Sequence, residues 1–143
     1  MKTIYTLLIA LIFTLNVNAQ TETKVTSNGQ NITVTIQNIK NDKGSVILGL
    51  HTEDTFMKGP GIKNLKSKIE NGQITVTFKN VEVGTYAIMV MHDENDNNRM
   101  DFENGMPLES YGMSNNPMSY GPPQYQDAKF EVNDKDLSFN IRF

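Results

Sequence analysis

NITVTIQ, residues 31–37, alternates without a break: Ile32, Val34 and Ile36 fall on one side, Thr33, Thr35 and Gln37 on the other. Successive side chains of an extended chain point to opposite faces, so this stretch is a strand with one buried face. Working outward, the same two-residue period returns in Ile74, Val76 and Phe78 against Thr75, Thr77 and Lys79. It returns again in Leu137, Phe139, Ile141 and Phe143. Val46–His51 and Thr85–Met91 are apolar on both faces, which predicts strands in the middle of a sheet. Ala128–Val132 predicts a further strand. Asn41-Asp42-Lys43-Gly44, Asn80–Gly84 and Asn133–Asp136 carry turn residues between these runs. The connection 52–71 holds Gly59-Pro60-Gly61 and predicts no regular structure beyond one turn of helix over Leu65–Ile69. Some six or seven strands with little helix predict an all-β fold, an antiparallel β-sandwich of two sheets.

The chain has 143 residues and no cysteine. Lys2 followed by the apolar run Ile4–Leu15 and the small-residue end Val17-Asn18-Ala19 predicts a cleaved secretory signal over residues 1–19. The run is shorter than the roughly 18–20 apolar residues that span a bilayer, and nothing later is longer. Without cysteine, neither a lipoprotein anchor nor a disulfide framework is expected. Residues 20–30 read as a polar tether and 31–143 as one domain, large enough to bury a core without crosslinks. The expected location is therefore the periplasm or the medium, with no membrane span after cleavage. The formal net charge is −3, and the scattered bases argue against nucleic acid. Lys58, Lys63, Lys66 and Lys68 read as a solvated loop or edge.

The most polar stretch is His92–Asn116, with Asp93, Glu94, Asp96, Asp101, Glu103 and Glu109 against the single base Arg99. A loop this long in a small domain is usually functional. Calcium takes six to eight oxygens, and its loops place Asp and Asn at alternate positions so that the side chains converge. Counted from Asp93 as the first position, Asn95, Asn97, the Arg99 carbonyl and Asp101 fall at positions three, five, seven and nine of such a loop. The sixth position is Asn98 in place of glycine, and the twelfth is Asn104 in place of glutamate. The closing carboxylate must then come from Glu103 or, better placed, Glu109. With few carboxylates the expected dissociation constant is weak, roughly 10⁻⁴–10⁻³ M. The competing reading is a metal-free loop held by Asx turns.

Other chemistries are poorer fits. Met89, Met91, Met100, Met106, Met113 and Met118 with His51 and His92 are soft ligands suited to copper(I), but methionine more often fills gaps in a core. A small hydrolase built on paired carboxylates needs a cleft and a fixed separation, and no Gly-x-Ser-x-Gly motif occurs. Tyr111, Tyr120 and Tyr125 lie close in sequence to the acidic loop. Their apolar faces and polar tips suit a sugar or peptide ligand, or they staple the loop to the sandwich.

Longer motifs carry a resemblance. His92-Asp93-Glu94-Asn95, Asn97 and Asp101, followed by Gly105-Met106-Pro107, Glu109 and Tyr111–Asn116, resemble the signature of the DUF2141 family of exported bacterial domains. Gly84, Tyr86 and Ala87 upstream and Pro123, Asp127 and Ala128 downstream extend it over most of the mature chain. The sequence departs from the pattern at Met106 and Met113, and at Asp96 and Asn98, where glycines are common. The resemblance implies an immunoglobulin- or prealbumin-like sandwich and no assigned activity. The expectation is an exported, non-catalytic binding or accessory module for a small ligand, a glycan or an envelope protein. Calcium at residues 93–101 is the expected cofactor, and a metal-free structural domain is the alternative.

Overall fold

The structure is a computed structural model that describes residues 29–143; the expected signal and all of the tether but its last two residues lie outside them. Two sheets face each other. One holds three strands in the order β10-β1-β4, with β1 at Gln30–Ile36, β4 at Ile74–Val81 and β10 at Leu137–Ile141. The other runs β3-β2-β5-β8, from Lys63–Ser67 through Ser45–His51 and Gly84–Asp93 to Tyr111–Met113. A small hairpin, β6 (Phe102–Glu103) and β7 (Met106–Pro107), stands off the acidic loop. A single helical turn, α1 (Tyr125–Ala128), precedes β9 (Phe130–Val132), which also pairs with β5.

The alternating strands face as their patterns require. Ile32, Val34 and Ile36 of β1 are fully buried between the sheets, against Leu48, Leu50, Phe78, Ile88, Val90 and Ile141. Each such side chain contributes about 1.5–3 kcal/mol by leaving water. On the wet face, Thr33 meets Thr77 at 3.0 Å and Thr35 meets Thr75 at 3.3 Å. β5 is apolar on both faces because a second cluster lies on the outer face of its sheet. There Phe56, Ala87, Met113 and Ala128 are buried, with Met89, Tyr111 and Tyr125 packed on them.

Four details depart from expectation. Leu65–Ile69 forms no helical turn; Lys63–Ser67 is a strand paired with the edge of β2, its side chains alternating half-buried and exposed. Pairing along a free edge outweighs a weak local preference. Ala128 closes the helical turn, so the strand expected from it begins at Phe130. The last strand ends at Ile141. It runs parallel to β1, from Ile32↔Leu137 to Ile36↔Ile141, whereas every other strand pairing is antiparallel. Period-2 patterning fixes which face is buried and leaves the partner and its direction open.

Candidate functional site

The acidic stretch begins where β5 runs out. Asp93 is fully buried, and its carboxylate accepts two backbone N–H groups from the chain ahead, Asn97 at 3.0 Å and Asn98 at 2.8 Å. Asn95 Oδ1 accepts the Asn97 N–H at 3.1 Å and Asn97 Oδ1 accepts the Arg99 N–H at 3.0 Å, so the turn is a run of Asx turns. Asp96 and Asn98, which replace the glycines common in the family pattern, have φ of 58° and 62°. Short polar side chains are the non-glycine residues best suited to that region. Glu109, on the returning limb, accepts the Glu94 N–H at 3.1 Å and the Asp101 N–H at 3.3 Å. Glu109 thus ties the two limbs of the loop together through main-chain donors.

Asn95 and Asn97 both turn their amide nitrogens to Asp101 Oδ2, at 2.7 and 2.8 Å, and Arg99 Nε lies 3.4 Å from Asp101 Oδ1. The structure thus gathers Asp93, Asn95, Asn97, Arg99, Asp101 and Glu109 around one turn, with the side-chain oxygens of the acids and asparagines engaged by N–H donors. Among the described residues no group of three or more His, Cys, Asp or Glu is placed to hold a metal ion.

A cation is nevertheless present. Lys66 of β3, expected to be a solvated surface lysine, puts its ammonium 3.0 Å from Asp96 Oδ1, 2.8 Å from Asn98 Oδ1 and 4.0 Å from Asp93 Oδ2. The Ser45 hydroxyl donates to Asp96 at 2.7 Å. That hydrogen bond first, and then Lys66, hold the Asp96 carboxyl below its usual pKa. Asn41 Nδ2 reaches Glu94 at 3.2 Å, and His92 Nε2 donates to the Lys43 carbonyl at 2.8 Å. The loop is therefore tied to the β1–β2 turn and to β3. The two histidines of the copper set stand at opposite ends of the β2–β5 ladder, His51 opposite Ala87 and His92 opposite Val46. They share no ligand sphere.

The second half of the stretch builds something the sequence did not announce. β8 and β9 both lie against the outer side of β5, β8 along Met89–Met91 and β9 along Gly84–Tyr86. They are two halves of one edge strand, interrupted by residues 115–129. At the break, the Ile88 N–H would lack a strand partner; it donates to Ser114 Oγ at 3.0 Å, and that hydroxyl donates in turn to the Ala128 carbonyl. Asn115 closes the neck of the insertion by donating to the carbonyls of Asp127 and Lys129 at 3.1 and 3.0 Å. Asn116 reaches across to the other sheet, donating to the Asn140 carbonyl at 2.7 Å and accepting the Arg142 N–H at 2.8 Å. The turn needs positive φ at both asparagines, 67° and 46°. Ser114-Asn115-Asn116 is a clasp.

The insertion it holds displays Met118 and Tyr120, the latter fully exposed. Beside it lies an open slot of about 370 Å³ lined by Tyr111, Met113, Met118, Ser119, Arg142 and Phe143, among others. Of the three tyrosines expected to bind, Tyr111 lines this slot and Tyr120 projects beside it. Tyr125 is a staple: its hydroxyl donates to the Thr85 carbonyl at 3.0 Å and its ring meets Phe56 edge-on at 5.7 Å. Gly112 is required where it stands, because a Cβ there would lie 2.2 Å from the Arg142 carbonyl oxygen.

The family described as "Uncharacterized protein conserved in bacteria (DUF2141)" matches residues 34–140. The chain belongs to that family. No curated protein and no solved structure matches it.

Proposed function

We propose that this DUF2141 member is an exported, non-catalytic binding or accessory module whose recognition face is the slot beside β8 and the clasped insertion. The N-terminal signal-like run supports export. The observation that carries the binding reading is the amount of structure devoted to holding one short projecting loop. Three consecutive side chains brace residues 115–129, while Tyr111, Met118 and Tyr120 are left facing solvent or slot. Compact surface loops on a rigid scaffold are where recognition residues concentrate. Aromatic and thioether side chains around an open slot suit a ligand with an apolar face. The acidic loop, on this reading, is a frame that fixes the returning limb which becomes β8.

The test is a ligand-observed NMR screen of small glycans, short peptides and aromatic fragments, followed by mapping of the hits on the amide spectrum. The reading expects perturbed amides within 111–121 and 142–143. Hits that map elsewhere, or reproducible turnover of a substrate that a slot variant abolishes, would overturn it.

A second reading, a weak calcium site at residues 93–101, is favoured by the convergence of Asn95, Asn97 and Asp101 on one point. Rotating both amides would turn their oxygens inward, and Lys66 would have to withdraw. Calcium at tenfold excess over its dissociation constant would stabilise the fold by about 1.4 kcal/mol. A rise in Tm that is lost in Asp101→Asn supports this reading. An unchanged Tm in roughly 10 mM calcium removes it.

A further inference from the structure

Sheet edges invite pairing, and proteins usually blunt them. Three edges here are blunted. β3 carries Lys63 and Lys66, and Lys63 also covers the neighbouring edge by donating to the Lys79 and Asn80 carbonyls at 2.8 and 3.1 Å. β10 is occupied by the Asn116 amide, which bonds one of its carbonyls and the N–H that follows it. β8 is different. The Ser114 N–H donates to the Ile88 carbonyl and the His92 N–H to the Ser110 carbonyl. The hydrogen-bonded rungs therefore fall at 114, 112 and 110, and the main-chain groups of Tyr111 and Met113 point away from β5. Among the described residues no strand lies on that side. Among the described residues only the Met113 carbonyl has a partner there, the Asn116 N–H at 3.2 Å.

Tyr111, Gly112 and Met113 all line the slot. Its walls include Tyr111, Asn116, Pro117, Met118, Ser119 and Phe143, and Arg142 is its one residue with a charged side chain. Arg142 makes no ion pair among the described residues, and no Asp or Glu side chain lines the slot, although the chain carries a net charge of −3. A basic residue in a slot without Asp or Glu, beside main-chain donors and an acceptor at strand spacing, is complementary to an extended chain bearing a carboxylate.

We propose that β8 is a strand-addition edge: an extended acidic peptide segment pairs with the main chain of Tyr111 and Met113 and sets a carboxylate against Arg142. This rests on the slot being the binding face and names its ligand class. A second copy of this chain would bring its own Tyr111–Met113 edge, which has no acid, and so fits less well.

The probe is a capped five-residue peptide of alternating Val and Glu, titrated into the full chain and followed by amide shifts. Perturbation centred on Tyr111, Gly112 and Met113 is expected, with slowed exchange of the Tyr111 N–H. Arg142→Gln, or lysine for glutamate in the peptide, should weaken binding about tenfold, the order of one charge-assisted contact. A peptide N-methylated at alternate residues should not bind. No perturbation at millimolar peptide, equal binding of the lysine peptide, or retained binding of the N-methylated one overturns the proposal. Concentration-dependent perturbation of the same amides without peptide, with a dimer in sedimentation, overturns it in favour of a second copy. If fragments still map to the slot while the peptide does not, only the ligand class fails; if neither maps there, the binding face fails with it.

Discussion

Asp93 shows how much one buried carboxylate organises. Its two oxygens meet two consecutive main-chain N–H groups, so the acid replaces the strand partner that β5 lacks beyond its end. Asp93→Ala takes the acceptor from the Asn98 N–H and leaves the Asn97 N–H only Asn95 Oδ1, and should cost about 2 kcal/mol in urea unfolding. Ser114→Ala strands the Ile88 N–H and the Ala128 carbonyl, for about 2 kcal/mol by the same measurement. His51 acts through pH. Burial lowers its pKa below the usual 6.5, with the Thr55 carbonyl partly opposing. The unfolded chain then binds more protons in the window just below pH 6.5. The stability linked to His51 is thus complete above 6.5 and falls as pH drops through the folded value. Asp96 is also lowered, so its contribution is present above 3.8 and is lost only as pH falls through its folded value. A urea midpoint followed from about pH 7.5 to about pH 5 should fall in the native chain and stay flatter in His51→Gln.

At the scale of elements, the split edge strand matters most. An uninterrupted β8–β9 would be an ordinary edge; breaking it at Ser114 lets the chain throw out residues 115–129 and return without losing β5's partner. Asn115→Ala and Asn116→Ala together should loosen the insertion. Amide exchange within residues 115–123 should quicken while β1, β2 and β4 keep their protection, because local opening is confined to the unit whose ties are cut. Gly112→Ala should displace β8, since the added methyl meets backbone and not a flexible side chain; overpacking of this kind costs about 1–3 kcal/mol. Lys66 ties β3 to the acidic loop, and its distance of thirty residues from Asp96 in sequence is why no local pattern reveals it.

For the whole molecule, the long strands were legible because alternation over five or more residues is itself the signature of a half-buried strand. Ile32 to Ile36 and Ile74 to Phe78 are such cases. β8 was not, because Tyr111-Gly112-Met113 is three residues with glycine at the centre. The parallel partner of β10 was illegible for another reason: register and direction are set by the other sheet and the connections, not by the strand. Spacing groups the acidic residues at 93–101 and points to Glu109 as a closing carboxylate; the structure places them around one turn. What they close upon is main chain, and spacing does not distinguish a converging carboxylate that meets an ion from one that meets an N–H. Beyond its place in the family signature Ser114 gave no signal, since its role exists only where a strand is broken.

The claim on which the functional account turns is that β8 presents an open edge to the slot. Residue-resolved amide hydrogen exchange on the free chain tests it. The Tyr111 and Met113 N–H groups should exchange markedly faster than those of Gly112 and Val90, which face each other across the β5–β8 ladder. Protection of Tyr111 and Met113 equal to that of Gly112 would mean the edge is already covered, and would contradict the account.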